Sequence, residues 1–302
     1  MPYFLTFICA ITCAIQSPIK KIFQNKRQTG IYLFAAMSTA VSALFFFFSG
    51  LFTGGLHYNG GVLLYALLFS ISAAVCNVST QMALGCGSLA LTALFSAYSL
   101  MLPTMYGLIF LDEKLSPLGW VGIALLVISL YLTNADFSHF GKKKSDASTQ
   151  SGEEREKKEI TAKWLILAIS AAVTNGLCSI IQRSQQIAFD GAYKNEMMSA
   201  AFGFAALFIV PLIVYYERHE IKEILKDATV PALGCGVANG TTNLLVMVVT
   251  ASIATSIFFP IISAGSMIIA YVLSIVLFRE RFSPYQHTGI ALGVLSLVFL
   301  NI

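Results

Sequence analysis

Two pairs of amide side chains lie inside long apolar runs of this sequence. Asn77 and Gln81 form one pair, and Asn239 and Asn243 form the other. Both pairs have the spacing i, i+4, which places the two amides on one face of a helix. Because an amide carries hydrogen-bond donors and acceptors together, such a face suits a neutral or zwitterionic solute better than a bare ion. The pairs predict a polar binding site among apolar helices.

Other polar side chains occupy comparable positions in the apolar runs. With the amide pairs, the candidate substrate-binding residues are Gln16, Ser17, Asn77, Gln81, Ser96, Tyr98, Asn175, Ser179, Gln182, Asn239, Asn243 and Ser263. Two interpretations stay open for each of them. Ser, Thr, Asn and Gln line cavities, but they also join membrane helices to one another, at about 0.6–2 kcal/mol per interaction.

The sequence carries none of the usual catalytic patterns. It has no Walker lysine loop, no His-Glu-x-x-His, no Cys-x-x-Cys, and no Asp or Glu within any predicted span. We therefore predict no catalytic residue, no metal, no cofactor and no enzymatic activity. Lys20 and Arg183 are the cations nearest to the polar site. Either would attract a carboxylate or phosphate, but the favoured interpretation is that both snorkel to the membrane interface.

The composition indicates a membrane protein. Hydrophobic residues make up 57% of the 302-residue chain and charged residues 11%, against about 25% charged in a soluble domain. The apolar runs have the length that crosses a bilayer as helix. We predict an all-α polytopic protein whose partners are the lipid bilayer and a small molecule, and not nucleic acid. The ten predicted spans are 2–19, 30–50, 61–82, 88–111, 117–134, 163–182, 198–216, 229–249, 252–278 and 285–302.

The positive charges predict an orientation. Sixteen of the nineteen Lys and Arg residues fall on one side of the ten predicted spans, and the exceptions are Lys114, Arg183 and Lys194. The favoured side includes the charged segment 135–162, which we interpret as a solvated linker with the capacity for a short surface helix. Since cytoplasmic loops are rich in Lys and Arg, we predict that this linker is cytoplasmic and that both termini lie outside the cytoplasmic membrane.

One stretch occurs twice. Glu113 to Asn134 reappears as Glu280 to Asn301, with eleven of 22 positions identical. In each copy a serine (Ser116 or Ser283) precedes a proline, which predicts an N-cap followed by the first helical residue. The duplication predicts two five-helix repeats, 1–134 and 163–302, joined by the linker 135–162. An odd number of spans per repeat makes the second copy inverted in the membrane.

These features resemble the EamA family of the drug/metabolite transporter superfamily. The resemblance rests on two five-span halves and on the sequence around Asp112-Glu-Lys-Leu-Ser-Pro117 and Arg279-Glu-Arg-Phe-Ser-Pro284, each followed by a Gly-Ile-Ala-Leu helix. It implies a central cavity lined mainly by the first, third and fourth helices of each half. It also implies export of amino acids, drugs or other small metabolites. Small relatives carry a carboxylate in their first helix, which this sequence lacks.

We therefore expect a secondary transporter that exports a small polar or amphipathic metabolite, amino acids first, by alternating access. A flippase or enzyme acting on a lipid-linked substrate, and a membrane scaffold that transports nothing, remain alternatives. Monomer and homodimer both remain open. The Gly-x-x-x-Gly spacings at Gly236/Gly240 and Gly289/Gly293 permit close helix contact, and we favour contact within one chain over a dimer seam.

Overall fold

The computed structural model describes residues 2–27, 29–99, 102, 106, 116–134, 150–250, 255–280 and 282–300. At some helical positions, Ser263 among them, only the backbone is described. Over these residues the chain forms ten helices and no strand, which confirms the predicted all-α class. The helices are α1 (Pro2–Lys26), α2 (Ile31–Phe52), α3 (Gly60–Cys86), α4 (Leu89–Tyr98), α5 (Pro117–Asn134), α6 (Gln150–Ala188), α7 (Lys194–Tyr216), α8 (Ile221–Thr250), α9 (Thr255–Phe278) and α10 (Pro284–Leu300).

Within the part of the chain that the structure describes, five helical segments are long and apolar enough by themselves to cross a bilayer. They are Phe4–Lys26, Ile31–Phe52, Gly60–Cys86, Ala162–Ala188 and Lys194–Tyr216. Many large apolar side chains on these helices face outward, such as Phe52, which is 88% exposed. A soluble protein does not leave so much apolar surface in water, whereas a bilayer accepts it.

Local sequence sets the helix starts that the repeat predicted. Pro117 begins α5 and Pro284 begins α10. Ser116 Oγ accepts a hydrogen bond from Gly119 N at 3.0 Å, and Ser283 Oγ accepts one from Gln286 N at 3.3 Å. The predicted serine N-caps are confirmed at both positions.

The first helix is longer than the sequence suggested. The prediction ended it at residue 19, but α1 continues to Lys26 and accommodates Pro18 inside it. A proline at this position removes one backbone hydrogen bond, to the carbonyl of Ala14, yet the helix persists. Lys20 and Lys21 consequently lie within a helix and not at its end. In the same way α6 begins at Gln150, so that the second part of the predicted linker forms its first turns.

Most of the larger contacts between helices are related by exchanging the first five helices for the last five. Helices α2 and α7, α4 and α9, and α5 and α10 pack as pairs. Three further pairs of contacts are related when α1–α5 are exchanged for α6–α10: α1 with α8 and α6 with α3, α1 with α9 and α6 with α4, and α2 with α8 and α7 with α3. The contacts of α9 with α10 and of α1 with α3 have no comparable counterpart among the described residues.

Residue contacts give the relative directions of these helices. Helices α1 and α3 run the same way, because Lys20 meets Asn77 and Gln24 meets Gln81. Other pairs run in opposite directions. The contacts that show it are Cys9–Thr242 and Lys26–Asp227 for α1 and α8, Phe69–Cys178 and Ser79–Ser170 for α3 and α6, and Tyr32–Tyr216 and Phe46–Phe202 for α2 and α7. It follows that α1 runs antiparallel to α6, α2 to α7 and α3 to α8.

Glycines bring two of these helices into close contact. A Cβ on Gly236 would lie 2.5 Å from the Ser38 carbonyl oxygen of α2, and one on Gly240 would lie 2.7 Å from the Phe45 ring. On α10, the Gly289 carbonyl accepts a hydrogen bond from Ser129 of α5 at 2.6 Å. Both Gly-x-x-x-Gly motifs therefore make contacts within one chain, as predicted.

Candidate functional site

A small polar cavity lies where α1, α2, α3 and α8 meet. Its lining residues are Gln16, Lys20, Ser38, Thr39, Asn77, Cys235 and Asn239. Its volume is about 10 Å³, close to the minimum that one water needs. An apolar core cluster that includes Phe34, Phe46 and Phe202 adjoins the cavity.

Three of the predicted site residues line this cavity. Gln16 donates from Nε2 to Thr242 Oγ1 at 3.3 Å. Asn77 donates to Thr39 Oγ1 at 3.4 Å, and Asn239 donates to Ser42 Oγ at 3.1 Å. Asn77 and Asn239, the first members of the two predicted amide pairs, thus lie on one cavity.

The sequence did not lead us to include α2 in the site. Ser38 and Thr39 line the cavity, and the Ser42 hydroxyl, one turn further on, donates to the Gly236 carbonyl of α8 at 3.0 Å. Three hydroxyls at i, i+1 and i+4 in an otherwise apolar run were the available signal. They carried little weight because serine and threonine also bond to their own helix, as Ser38 and Thr39 both do with the Ala35 carbonyl.

The second amide of each i, i+4 pair lies beside the cavity and not on its wall. Asn243 donates to Asn239 Oδ1 at 3.1 Å. Gln81 is fully buried and accepts a hydrogen bond from Gln24 Nε2 at 3.1 Å. The Nε2 atoms of Gln81 and Gln182 are buried without an acceptor among the residues the structure describes.

Several predicted site residues join helices instead. Tyr98 bonds to Ser129 of α5, and Asn175 donates to Ser99 Oγ at 2.6 Å. The remaining candidates show no cavity role: Ser96 and Ser179 bond to carbonyls of their own helices, Ser17 is half-buried away from the lining, and the Ser263 side chain lies outside the described residues.

Lys20 is a cation inside the bundle. The interfacial position favoured from the sequence is wrong, because Lys20 is 7% exposed and lines the cavity. Its ammonium donates to Asn77 Oδ1 at 3.2 Å. No carboxylate within the described ranges lies within ion-pair distance of it. Arg183, the other cation considered, is half-buried on α6 and is not part of this lining.

Lys21, the next residue, has a full set of partners. Its ammonium forms an ion pair with Glu280, in the connection between α9 and α10, and donates to the Gly87 carbonyl at 2.9 Å. Glu280 also accepts hydrogen bonds from Ser88 Oγ at 2.7 Å, from Leu89 N at 2.9 Å, and from Ser274. The carboxylate thereby caps the N-terminus of α4, where the helix dipole favours negative charge.

The environment of Glu280 has opposing effects on its pKa. Burial raises the pKa, while the hydrogen bonds from Lys21, Ser274, Leu89 and Ser88 lower it, and the net pKa lies below the ordinary value. Glu280 is therefore ionised at neutral pH. The Lys21–Glu280 cluster ties α1, the α3–α4 junction and the end of α9 together by charge.

A second charged cluster ties the α1–α2 connection to the α7–α8 connection. Arg27 pairs with Glu220, Glu223 and Asp227 at 2.9–3.2 Å. Glu217 accepts hydrogen bonds from the first backbone N–H groups of α2, at 2.8 Å from Leu33. Glu220 and Glu223 are exposed, so we expect their pairs with Arg27 to contribute little stability each.

The comparisons with known proteins agree with this architecture. A solved chain, named only "Crystal structure of protein", is similar in fold, with a TM-score of 0.62 and 12% identity over 99% of this chain and 95% of its own. No curated protein matches the chain. The model of the EamA-like transporter family matches residues 162–302, the region that contains α7–α10 and the membrane-crossing part of α6. Over residues 162–302, this multi-pass membrane protein is therefore similar to the EamA-like transporter family, which is part of the drug/metabolite transporter superfamily.

Proposed function

We propose that this protein is a secondary transporter, and not an enzyme, that exports a small polar or amphipathic metabolite across the cytoplasmic membrane by alternating access. One observation carries the proposal: a cavity lined by amides, hydroxyls and a lysine lies inside the bundle, beside a cluster of buried apolar side chains. Polar groups are costly at bilayer depth, so a cluster of them around a void favours a solute pathway. An amino acid is the first candidate cargo, because amides and hydroxyls suit a zwitterion.

The helix directions support an inverted repeat. Helices α1, α2 and α3 run antiparallel to α6, α7 and α8 respectively, and most of the larger helix contacts have a counterpart under the exchange of the halves. Transporters with inverted repeats bind their cargo at the repeat interface and expose it to each side in turn. The cavity draws on both halves, since Asn77 lies on α3 and Asn239 on its counterpart α8.

The cavity size supports a closed conformation. A space of about 10 Å³ does not admit an amino acid, so cargo enters only after helices separate. The Lys21–Glu280 cluster is suited to hold one end shut, because it joins three helices by contacts that break together. By the distribution of Lys and Arg, this end faces the cytoplasm and both termini lie outside.

The alternatives receive less support. A flippase needs a polar groove open to lipid, but the groove between α3 and α7 is lined by Ile71, Val75, Phe208 and other apolar side chains, with Ser79 as its polar exception. A scaffold would consume its amides in bonds between helices. Here the Gln81 and Gln182 Nε2 atoms have no acceptor among the described residues.

Flux into liposomes tests the proposal. Purified protein is reconstituted, and entry of a panel of labelled amino acids is measured against trapped unlabelled solute, with protein-free liposomes as the blank. We expect exchange of at least one amino acid, and a loss of more than tenfold in the N77L/N239L variant. The control N195L makes the same chemical change at a loop-end amide that bonds to Thr53, and should retain flux. Exchange that survives N77L/N239L would remove these amides from the site, and no exchange of any solute would contradict the transporter function.

A further inference from the structure

Lys20 places one positive charge in the wall of the cavity. The other lining side chains, those of Gln16, Ser38, Thr39, Asn77, Cys235 and Asn239, are neutral. Where side chains are described, neither Asp nor Glu lies within ion-pair distance of the Lys20 ammonium. An ammonium has three N–H donors, and the described contacts give it one acceptor, Asn77 Oδ1. The charge and part of the hydrogen-bonding capacity are thus not matched by the described residues.

Joining helices is a poor explanation for a lysine here. Burying a charge without a counter-charge costs free energy, and a neutral amide or hydroxyl would bridge α1 and α3 without that cost. The adjacent Lys21 shows what a structural cation looks like in this bundle: it is buried to the same degree but paired with Glu280. A buried cation that lacks a counter-charge among the described residues is therefore a candidate to bind a ligand of opposite charge.

We propose that Lys20 binds the carboxylate of the transported solute. This inference rests on the proposed function, and it narrows the cargo to a carboxylate monoanion or a zwitterion. One lysine balances one negative charge, whereas a phosphate dianion would leave charge uncompensated in the bilayer and is more often held by arginine forks or several cations. A carboxylate accepts about four hydrogen bonds. The lining hydroxyls of Ser38 and Thr39 donate to the Ala35 carbonyl, and Gln16 donates to Thr12 and Thr242, so these donors must turn from those acceptors to reach a bound carboxylate.

The binding test uses matched pairs of ligands on the purified full-length protein. Leucine, methionine and phenylalanine are compared with leucinamide, methioninamide and phenylalaninamide, which keep the side chain and the ammonium but lose the carboxylate. Inorganic phosphate is a separate arm. Since a ligand that binds the folded state raises its melting temperature, we expect at least one free acid to raise it and its amide to leave it unchanged. Equal shifts with acid and amide, or a shift with phosphate alone, would overturn the carboxylate assignment.

Variants at Lys20 identify the residue. K20Q keeps a donor for Asn77 but removes the charge, and should weaken binding of the free acid at least tenfold. K20R restores the charge and should recover part of that affinity. The control K222Q removes a positive charge from an exposed position of α8 and should bind like the wild type. If K20Q binds the acid as the wild type does, Lys20 is not the carboxylate site.

Melting temperatures measured without ligand test whether Lys20 has a purely structural role. K20M should melt at or above the wild-type temperature, because it removes an unmatched buried charge. K21M should melt lower. A K20M protein that is destabilised as much as K21M would assign Lys20 to structure and overturn the proposal.

Flux separates this inference from the proposed function. If the protein transports amides as well as acids and K20Q is fully active, the inference about Lys20 is overturned. The proposed transporter function is then retained. If an acid binds through Lys20 but shows no flux in liposomes, the assignment of the binding site is retained and the transport function is contradicted.

Discussion

Lys20 and Lys21 are consecutive residues of one helix with the same burial, 7% and 8% exposed, yet their surroundings differ in one respect. Lys21 meets a carboxylate and a carbonyl at one end of the bundle, while Lys20 meets an amide on the cavity. Successive helix positions point about 100° apart, so neighbours in sequence reach different surroundings. Burial alone therefore does not identify a functional charge; what matters is whether the protein itself supplies the opposite charge.

Removing one partner of the Lys21–Glu280 pair should have the largest effect. K21M leaves Glu280 buried with its charge unmatched, and such changes cost roughly 3–5 kcal/mol in the free energy of unfolding. The double variant K21M/E280Q should recover a substantial part of that loss, because it removes both charges. Thermal or denaturant unfolding in detergent, analysed as a double-mutant cycle, measures the coupling. Additive effects of K21M and E280Q would show that the pair is not a coupled unit.

Giving Lys20 a carboxylate should make it resemble Lys21. N77D places a carboxylate at the position of the amide oxygen that Lys20 already contacts at 3.2 Å. N77D supplies the missing counter-charge, so it should raise the free energy of unfolding although the amide's donor to Thr39 is lost, and it should abolish binding of free acids. The matched control is N239D, on the same cavity, where the described contacts include no bond to Lys20. A destabilised N77D that still binds acids would contradict the proposed role of Lys20.

Low pH should destabilise the protein through the Lys21–Glu280 pair and not through Lys20. The pKa of Glu280 is lowered in the folded protein, so its contribution to stability is fully present above the unfolded pKa, about 4.3. That contribution is lost as the pH falls through the lower folded value. Melting temperatures measured from pH 7 downward should therefore decrease once the pH is below about 4.3. The part of this decrease that comes from Glu280 should be absent in E280Q and present in K20M. An identical slope in E280Q and the wild type would exclude Glu280 as a source of this acid sensitivity.

Features that depend on neighbours along the chain were predictable. The N-caps Ser116 and Ser283 lie directly before Pro117 and Pro284, and local hydrogen bonds suffice to start a helix there. Asn77 and Asn239 were singled out because amides at bilayer depth are rare; both line the cavity, and their role in binding stays a prediction. Lys20 was misplaced, since no local signal indicated that α1 continues through Pro18 to Lys26.

By itself, the sequence determined that the chain is an all-helical membrane protein, where several helices begin, and which polar side chains the bilayer forces to find a partner. Only the tertiary structure decided which groups on other helices are those hydrogen-bond partners. Tyr98 and Asn175 are engaged by Ser129 and Ser99 between helices, and the hydroxyls of α2 reach the cavity. The physical reason is that a buried polar group must be satisfied, but the group that satisfies it comes from another helix, and its identity depends on how the helices pack.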